Sequence, residues 1–486
     1  ISVSFSPNYY HLMASSSTPP SDFYKECEKT ALINWNWKLA YDLVMKGHQQ
    51  GDLHCTSLLG YMYCYGRGVA KADTERGLAL CLQTMDTCCL AKAVYANALA
   101  NGRWGLTKDP TKGKEMLFSC DDTHPYVLNL MAMAYENGVG VDKDEKKAFE
   151  LYEKSAECGY AAGEYNFGLC FDEGTGTVPD AIKANYHYSL AANKGHGPAA
   201  YNLAINFRDG EGCEPNPQKA VEYFTICGKQ GDPDGWFNIG KMYQYGQAGV
   251  DIDYVKAADY YQLGADLDCP DCTYSLGLAY RNGKGRDTDN EKALSLYKKA
   301  GETHNHAQSL FAVGLCYRFG RGTPKNAQLA VEYYEKAANA GSAAASFNLG
   351  VCCENAVVTG TADYERAVHW YEKAIEINEY TNALYNLAVL VADGKGVDLD
   401  LERAFDLYKK AAEKEDADAQ YATGRCYHRG FGTAIDYERA LYWYGLARNQ
   451  NHAQAITEYN ALSAEIASSS AQDAPEEAEE DPPNEG

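Results

Sequence analysis

The sequence predicts an all-α array of stacked helix pairs, and three observations predict it. A Gly-x-Gly step recurs as Gly66/Gly68, Gly138/Gly140, Gly174/Gly176, Gly210/Gly212, Gly283/Gly285, Gly320/Gly322, Gly394/Gly396 and Gly430/Gly432, with stretched versions at Gly102/Gly105 and Gly246/Gly249. Neighbouring steps lie 36 or 37 residues apart, and the 320-to-394 interval is twice 37. In phase with them, a basic residue precedes Ala at Lys147, Lys183, Lys219, Lys256, Lys292, Arg366, Arg403 and Arg439. The third observation is the helical spacing of ring and small residues within each unit. Length alone would suggest about three domains, but two markers in phase over roughly 400 residues make a single repeat array.

The chain has 486 residues, 45% hydrophobic and 23% charged, enough apolar surface for a packed core. Its net charge of -23 disfavours nucleic acid, whose binding needs cations to displace phosphate counterions, and favours basic protein partners. Residues 1–24 carry no Lys or Arg, contain an alternative start at Met13, and are expected to be disordered. They offer neither a secretory n-region nor an Arg-rich transit peptide, and no run is long and apolar enough to span a bilayer, so a cytoplasmic location is expected. Seventeen cysteines, odd in number and adjacent at Cys88/Cys89 and Cys352/Cys353, fit reduced thiols serving as small core hydrophobes better than a disulfide scaffold.

Residues 25–52 read as an N-terminal capping region, in which Trp37–Gln50 has the pattern of a second helix whose first helix is missing. The array proper runs over 53–451. After the basic-Ala marker, Ala148, Tyr152 and Ser155 fall at i, i+4, i+7, one apolar stripe of a helix. The trio recurs as Ala184/Tyr188/Ala191, Ala257/Tyr261/Gly264, Ala330/Tyr334/Ala337, Ala404/Tyr408/Ala411 and Ala440/Tyr444/Ala447: a ring between two small residues. Gly159, Gly195, Gly231 and Gly341 stand where a left-handed C-cap closes that helix. The other helix carries Tyr165-Asn166-Phe167-Gly168-Leu169-Cys170-Phe171, with Phe167, Cys170 and Phe171 on its core face. Residues 452–466 supply a closing helix, and 467–486, with seven acidic residues, three prolines and no basic residue, read as a disordered acidic tail.

Units such as Asn137–Gly159 and Leu387–Ala412 resemble Sel1-like repeats, relatives of the tetratricopeptide repeat, and the resemblance covers about Trp37 to Ile466. It implies a right-handed α-solenoid of about eleven units that serves as a non-catalytic adaptor or scaffold, with the first helix of each pair lining a concave surface. Members of that family include adaptors of ER-associated degradation, activators of chitin synthesis and cysteine-rich bacterial proteins. An alternative is a structural subunit of a large assembly, or an ER-type adaptor if a signal sequence precedes this chain.

The candidate binding surface follows from geometry. Two positions along a helix is a rotation of about 200°, which puts Tyr165 opposite Phe167. Successive units then set Tyr165, Tyr201, Phe237, Tyr274, Phe311, Phe347, Tyr385 and Tyr421 in a row, with Asn166, Asn202, Asn238, Asn348 and Asn386 beside it. Such rings can grip apolar side chains, and Asn amides can bond an extended peptide backbone. The competing reading is that the rings pack between first helices and each Asn holds a neighbouring turn. Arg208, Arg281, Arg318, Arg425 and Arg429 interrupt the acidic field on this face and suit carboxylates or plain solvation.

Catalysis finds no candidates. The Gly-x-Gly steps end helices rather than follow strands, so they form neither a dinucleotide fingerprint nor a phosphate loop. No Gly-x-Ser-x-Gly or His-Glu-x-x-His occurs, and the eleven histidines are scattered. Cys269-Pro270-Asp271-Cys272 resembles a redox or zinc pair, but sits where other units place an ordinary inter-unit turn. No catalytic residue, cofactor or metal is expected; the expected partners are proteins, bound by a monomer or by a subunit of a hetero-complex.

Overall fold

The computed structural model describes residues 21–33, 36–120, 123–358 and 360–472. Among them every regular element is helical, and eleven helix pairs follow one another from Leu53 to Asn449. The chain divides at Cys272/Thr273 into two compact units, Ile1–Cys272 and Thr273–Gly486.

In the first unit, six pairs begin with Leu53–Tyr65/Thr74–Thr84 and end with Pro233–Tyr245/Tyr254–Asp266. Each helix is started and stopped by its own chemistry. Asp144, Asp180, Asn216 and Asp253 cap the second helices, their side chains accepting from backbone N–H groups of the first turn. First helices stop at a left-handed glycine such as Gly174 (φ 79°), a conformation that costs an L side chain about 1–2 kcal/mol. Gly176 (φ 69°) is held for a second reason: a Cβ there would collide with the backbone carbonyl of Glu145, in the preceding pair.

The N-terminal cap differs from expectation. Helix Asp22–Glu28 and a π-helical turn, Lys29–Ile33, precede helix Trp37–Gln49, so the first element of that unit is present in shortened form rather than missing. Residues 22–24, expected to be disordered, form its first turn, with Ser21 accepting from the Tyr24 N–H at 3.0 Å. The cap is anchored by burial of Glu28, whose Oε1 accepts from the Tyr24 hydroxyl at 2.8 Å and lies 2.8 Å from His124 Nε2. A carboxylate is buried only when paired in this way, and the sequence gives no local sign of a partner 96 residues away.

In the second unit, pairs run from the helix ending at Asn282, with Asn290–His304, to Ala417–Arg429/Tyr437–Asn449. Helix Ala453–Gln472 closes it and runs six residues into the segment expected to be a disordered tail; the rest of that tail, 473–486, and the leading 1–20 lie outside the described residues. The unit near Glu354–Gly360 keeps the turn without its first glycine, with Ala356 at φ 55°.

The core of both units is the predicted stripe. Tyr152, Tyr188, Tyr297, Tyr334, Tyr371 and Tyr444 are among the largest fully buried side chains. Each ring except Tyr152's rests on a glycine of its own pair's first helix: a Cβ at Gly168, Gly277, Gly314, Gly350 or Gly424 would fall within 3 Å of the facing tyrosine. All seventeen cysteines are free thiols and thirteen are buried; Cys170, Cys316, Cys352 and Cys426 share one core position.

Candidate protein-binding surface

The aromatic row on the first helices is half-buried, and none of its rings stands free. Each lies against the ring that follows it on the second helix of its pair. Tyr165 is 5.8 Å from Tyr188, Tyr201 5.7 Å from Phe224 and Phe237 6.0 Å from Tyr261 in the first unit. In the second unit Tyr274, Phe311, Phe347, Tyr385 and Tyr421 repeat the contact at 5.5–5.8 Å with Tyr297, Tyr334, Tyr371, Tyr408 and Tyr444. Four rings are also flanked by the residue that starts the next first helix: His196 on Tyr165, His306 on Tyr274, Tyr380 on Phe347 and His452 on Tyr421. The row therefore does structural work on one side and presents its remaining surface on the other.

The Asn row is largely engaged within the fold. Asn166 Nδ2 donates to Asn129 Oδ1 at 2.8 Å, one repeat earlier. Asn238 receives Arg208 Nη1 on its Oδ1 at 3.2 Å and donates to Asp234 O and the Tyr201 hydroxyl. Asn348 accepts from Arg318 Nη1 at 2.8 Å and donates to Ala344 O. Asn386 donates to the Tyr371 hydroxyl at 3.1 Å, and Asn202 bonds the hydroxyls of Tyr165 and Tyr188. These amides stitch neighbouring units together, leaving little capacity for a peptide backbone.

The arginines divide into two kinds. Arg208 is neutralised by Asp209 at 2.6 Å, and Arg429 lies 3.6 Å from Glu458. Arg425 sits over the Tyr421 ring at 5.8 Å. Arg281 and Arg318 have no carboxylate partner among the described residues: Arg281 donates to Asn282 Oδ1 at 3.1 Å, and Arg318 to Asn348 Oδ1 at 2.8 Å and toward the Tyr334 hydroxyl.

Arg208, Arg281 and Arg318 belong to a column whose other members, Glu136, Asp172, Gln244 and Glu354, were not read from the sequence as site residues. In four pairs the residue two before the turn that ends the first helix accepts from the second-helix tyrosine. Tyr152 donates to Glu136 Oε2 at 2.8 Å, Tyr188 to Asp172 Oδ2 at 2.8 Å, Tyr261 to Gln244 Oε1 at 2.6 Å and Tyr371 to Glu354 Oε2 at 2.7 Å. The column was visible as a position that is polar in most units, two residues before the glycine.

At Cys269–Cys272, both sulfurs are buried and the Cys272 N–H donates to Cys269 Sγ at 3.4 Å. Hydrogen bonding from Cys272 lowers the Cys269 thiol to about 7. No group of three or more metal-ligating side chains occurs among the described residues. The pair serves as a helix start: Cys269 stands before Pro270, and Gly264 leaves room for Cys272.

Stacked helix pairs joined by left-handed turns, with a small residue under each core ring, define a tetratricopeptide-like solenoid repeat. The Sel1 repeat model matches ten segments, 54–83, 125–160, 161–196, 197–232, 236–269, 270–302, 307–342, 343–378, 381–416 and 417–452, and the chain belongs to the Sel1 repeat family. The eleventh pair, Cys89–Asn101/Pro110–Phe118, lies between the first two matches. Chitin synthase regulatory factor 3 of Schizosaccharomyces pombe is 36% identical over 80 residues, 16% of this chain and 9% of that protein. Among solved structures, c5321, a protective antigen of uropathogenic Escherichia coli with an SLR fold, is 25% identical at a TM-score of 0.56, covering 87% of this chain and 90% of its own. A Sel1 repeat protein of Oxalobacter formigenes shows the same fold at 24% identity and a TM-score of 0.56, over 70% of this chain and 94% of its own. Sel1 repeat proteins are generally non-catalytic and mediate protein–protein interactions. No helix of the described residues is long and apolar enough to cross a membrane.

Proposed function

We propose that this protein is a non-catalytic cytoplasmic scaffold that holds protein partners on the concave face of its first helices. The observation that carries the reading is the row of half-buried rings, anchored from behind by the second-helix tyrosines. Anchored rings offer apolar contact area at little entropic cost on binding, because their rotamers are already fixed. The Asn row then acts as the brace that keeps the rings in register, and specificity falls to the side chains between them. A likeness to a regulatory factor of a synthase supports action upon another protein rather than chemistry of its own.

The test replaces Tyr201, Phe237 and Asn238 together by Leu, Leu and Ala, with thermal melting to show that the fold survives. Affinity capture should then lose partners that the parent chain retains. An unchanged partner set from a folded variant would reject this face as the site.

A further inference from the structure

Six of the second-helix tyrosines occupy equivalent surroundings, yet they divide over the hydroxyl. In Tyr152, Tyr188, Tyr261 and Tyr371 the proton goes to an acceptor in the last turn of the first helix. In Tyr297 and Tyr334, both 0% exposed, the hydroxyl proton has no acceptor among the described residues, and Arg318 approaches the Tyr334 oxygen only as a donor. The cause is readable in the chain: the position that holds Glu136, Asp172, Gln244 or Glu354 elsewhere is Arg281 beside Tyr297 and Arg318 beside Tyr334. A guanidinium has five donors and no acceptor, so it cannot take the phenol proton. The next unit does not repair the deficit. Where Asn202 and Asn386 reach back to Tyr188 and Tyr371, the residue facing Tyr297 is Ala312, and Asn348 facing Tyr334 is engaged by Arg318. An unmade bond at a buried donor is costly, and two consecutive units carry it.

One kind of group would satisfy both the orphaned protons and the arginines. An oxyanion accepts from a phenol and from a guanidinium at once, and a carboxylate matches the planar guanidinium fork. Arg281 and Arg318 are half-exposed, lack a carboxylate partner among the described residues, and have the exposed Arg321 nearby, a cation that acts on the Tyr297 hydroxyl. Arg208, the arginine at the same position in the first unit, shows the contrast: it is already paired with Asp209 and faces Phe224, which has no hydroxyl to satisfy. Arg281 and Arg318 stand one repeat apart, on first helices spaced by about 8–10 Å. Residues i and i+3 of an extended segment in the polyproline-II conformation, three residues per turn at about 3.1 Å per residue, lie on one face and span the same distance.

We propose that the first-helix face around Arg281 and Arg318 binds the carboxylates of an extended acidic segment of a partner protein, with Tyr297 and Tyr334 as donors beneath them. The inference rests on the reading of this face as the partner surface and names the chemistry that part of it selects. The rest of the chain is acidic, so long-range attraction does not help such a ligand. Its affinity must come from these contacts.

The experiment titrates the full chain into three fluorescein-labelled dodecapeptides and follows anisotropy. One has Glu at every third position, one has Gln there, and one has phosphoserine there. The Glu peptide should bind at least about tenfold tighter than the Gln peptide. The Arg281→Gln/Arg318→Gln chain should lose that preference, whereas Arg403→Gln, which removes only an exposed pair with Glu372, should keep it. Tyr297→Phe/Tyr334→Phe should weaken the Glu peptide severalfold without lowering Tm. Arg281→Glu should abolish binding and raise Tm, because it supplies Tyr297 with the acceptor that Glu136 gives Tyr152. Equal binding of Glu and Gln peptides, tighter binding of phosphoserine than Glu, or Tyr→Phe variants that bind like the parent would each overturn the proposal. Because the Tyr201/Phe237/Asn238 test lies in the other unit, a failure here and a failure there are separate results.

Discussion

The pair Ala161–Asn193 in the first unit and the pair Ala307–Asn339 in the second share a frame almost residue for residue. Gly168 underlies Tyr188 as Gly314 underlies Tyr334, and Tyr165 leans on the one as Phe311 leans on the other. They part most sharply in the last turn of the first helix, where Asp172 accepts the Tyr188 proton while Arg318 leaves that of Tyr334 without an acceptor. Stacking in a repeat array depends on nearest-neighbour packing, and both pairs have it. The last-turn position can therefore change sign without disturbing the array, and an array that repeats its packing is free to vary its chemistry there.

The largest effect should come from the shared part: Tyr188→Ala and Tyr334→Ala should each cost about 3–5 kcal/mol in denaturant unfolding, since both leave a cavity under fully buried neighbours. Acid should separate the pairs next. Burial pushes His196, which covers Tyr165, down to about 4 from an ordinary 6.5. The unfolded chain then binds more protons in that interval, so stability should be complete above about pH 6.5 and fall as pH drops toward 4, by roughly 2–3 kcal/mol. The neutral ring is also needed to accept the Ala199 N–H at 3.3 Å. His196→Asn, which keeps the cap, should flatten that slope in a pH series of melts.

The difference itself should be smaller and opposite in the two pairs. Tyr188→Phe removes the donor bonded to Asp172 and should cost about 1 kcal/mol, while Tyr334→Phe removes a proton that has no acceptor and should be neutral or stabilising. Smallest of all is a backbone effect outside both pairs. Some second helices close on a left-handed glycine, Gly159, Gly195, Gly231 or Gly341, but two in the second unit close on Glu379 and Glu415 at φ 49° and 65°. Glu379→Gly and Glu415→Gly should each add about 0.5–1 kcal/mol, the relief of left-handed strain less the entropy of an unfolded glycine.

Much of the fold is legible in the chain because repeat phase, helical spacing and left-handed glycines are local signals. The stripe Ala184/Tyr188/Ala191 is fully buried as its spacing requires. The direction of the Tyr165 row was also legible, being a rotation along one helix. Its partners were not. Tyr165 meets Tyr188 and His196 through the tilt of two helices, and Asn166 meets Asn129 across 37 residues of chain. The first helix was not legible for a related reason: Glu28 ties it to His124, 96 residues on. The orphaned hydroxyls of Tyr297 and Tyr334 needed the pairing of two columns, each unremarkable alone.

The scaffold reading is tested most directly by placing a photo-crosslinking phenylalanine at Tyr201, on the first-helix face, or at Ile182, exposed on a second helix of the same unit. Irradiated in cells, the chain labelled at Tyr201 should form adducts with partner proteins that the chain labelled at Ile182 does not. Adducts from Ile182 with none from Tyr201 would contradict the account.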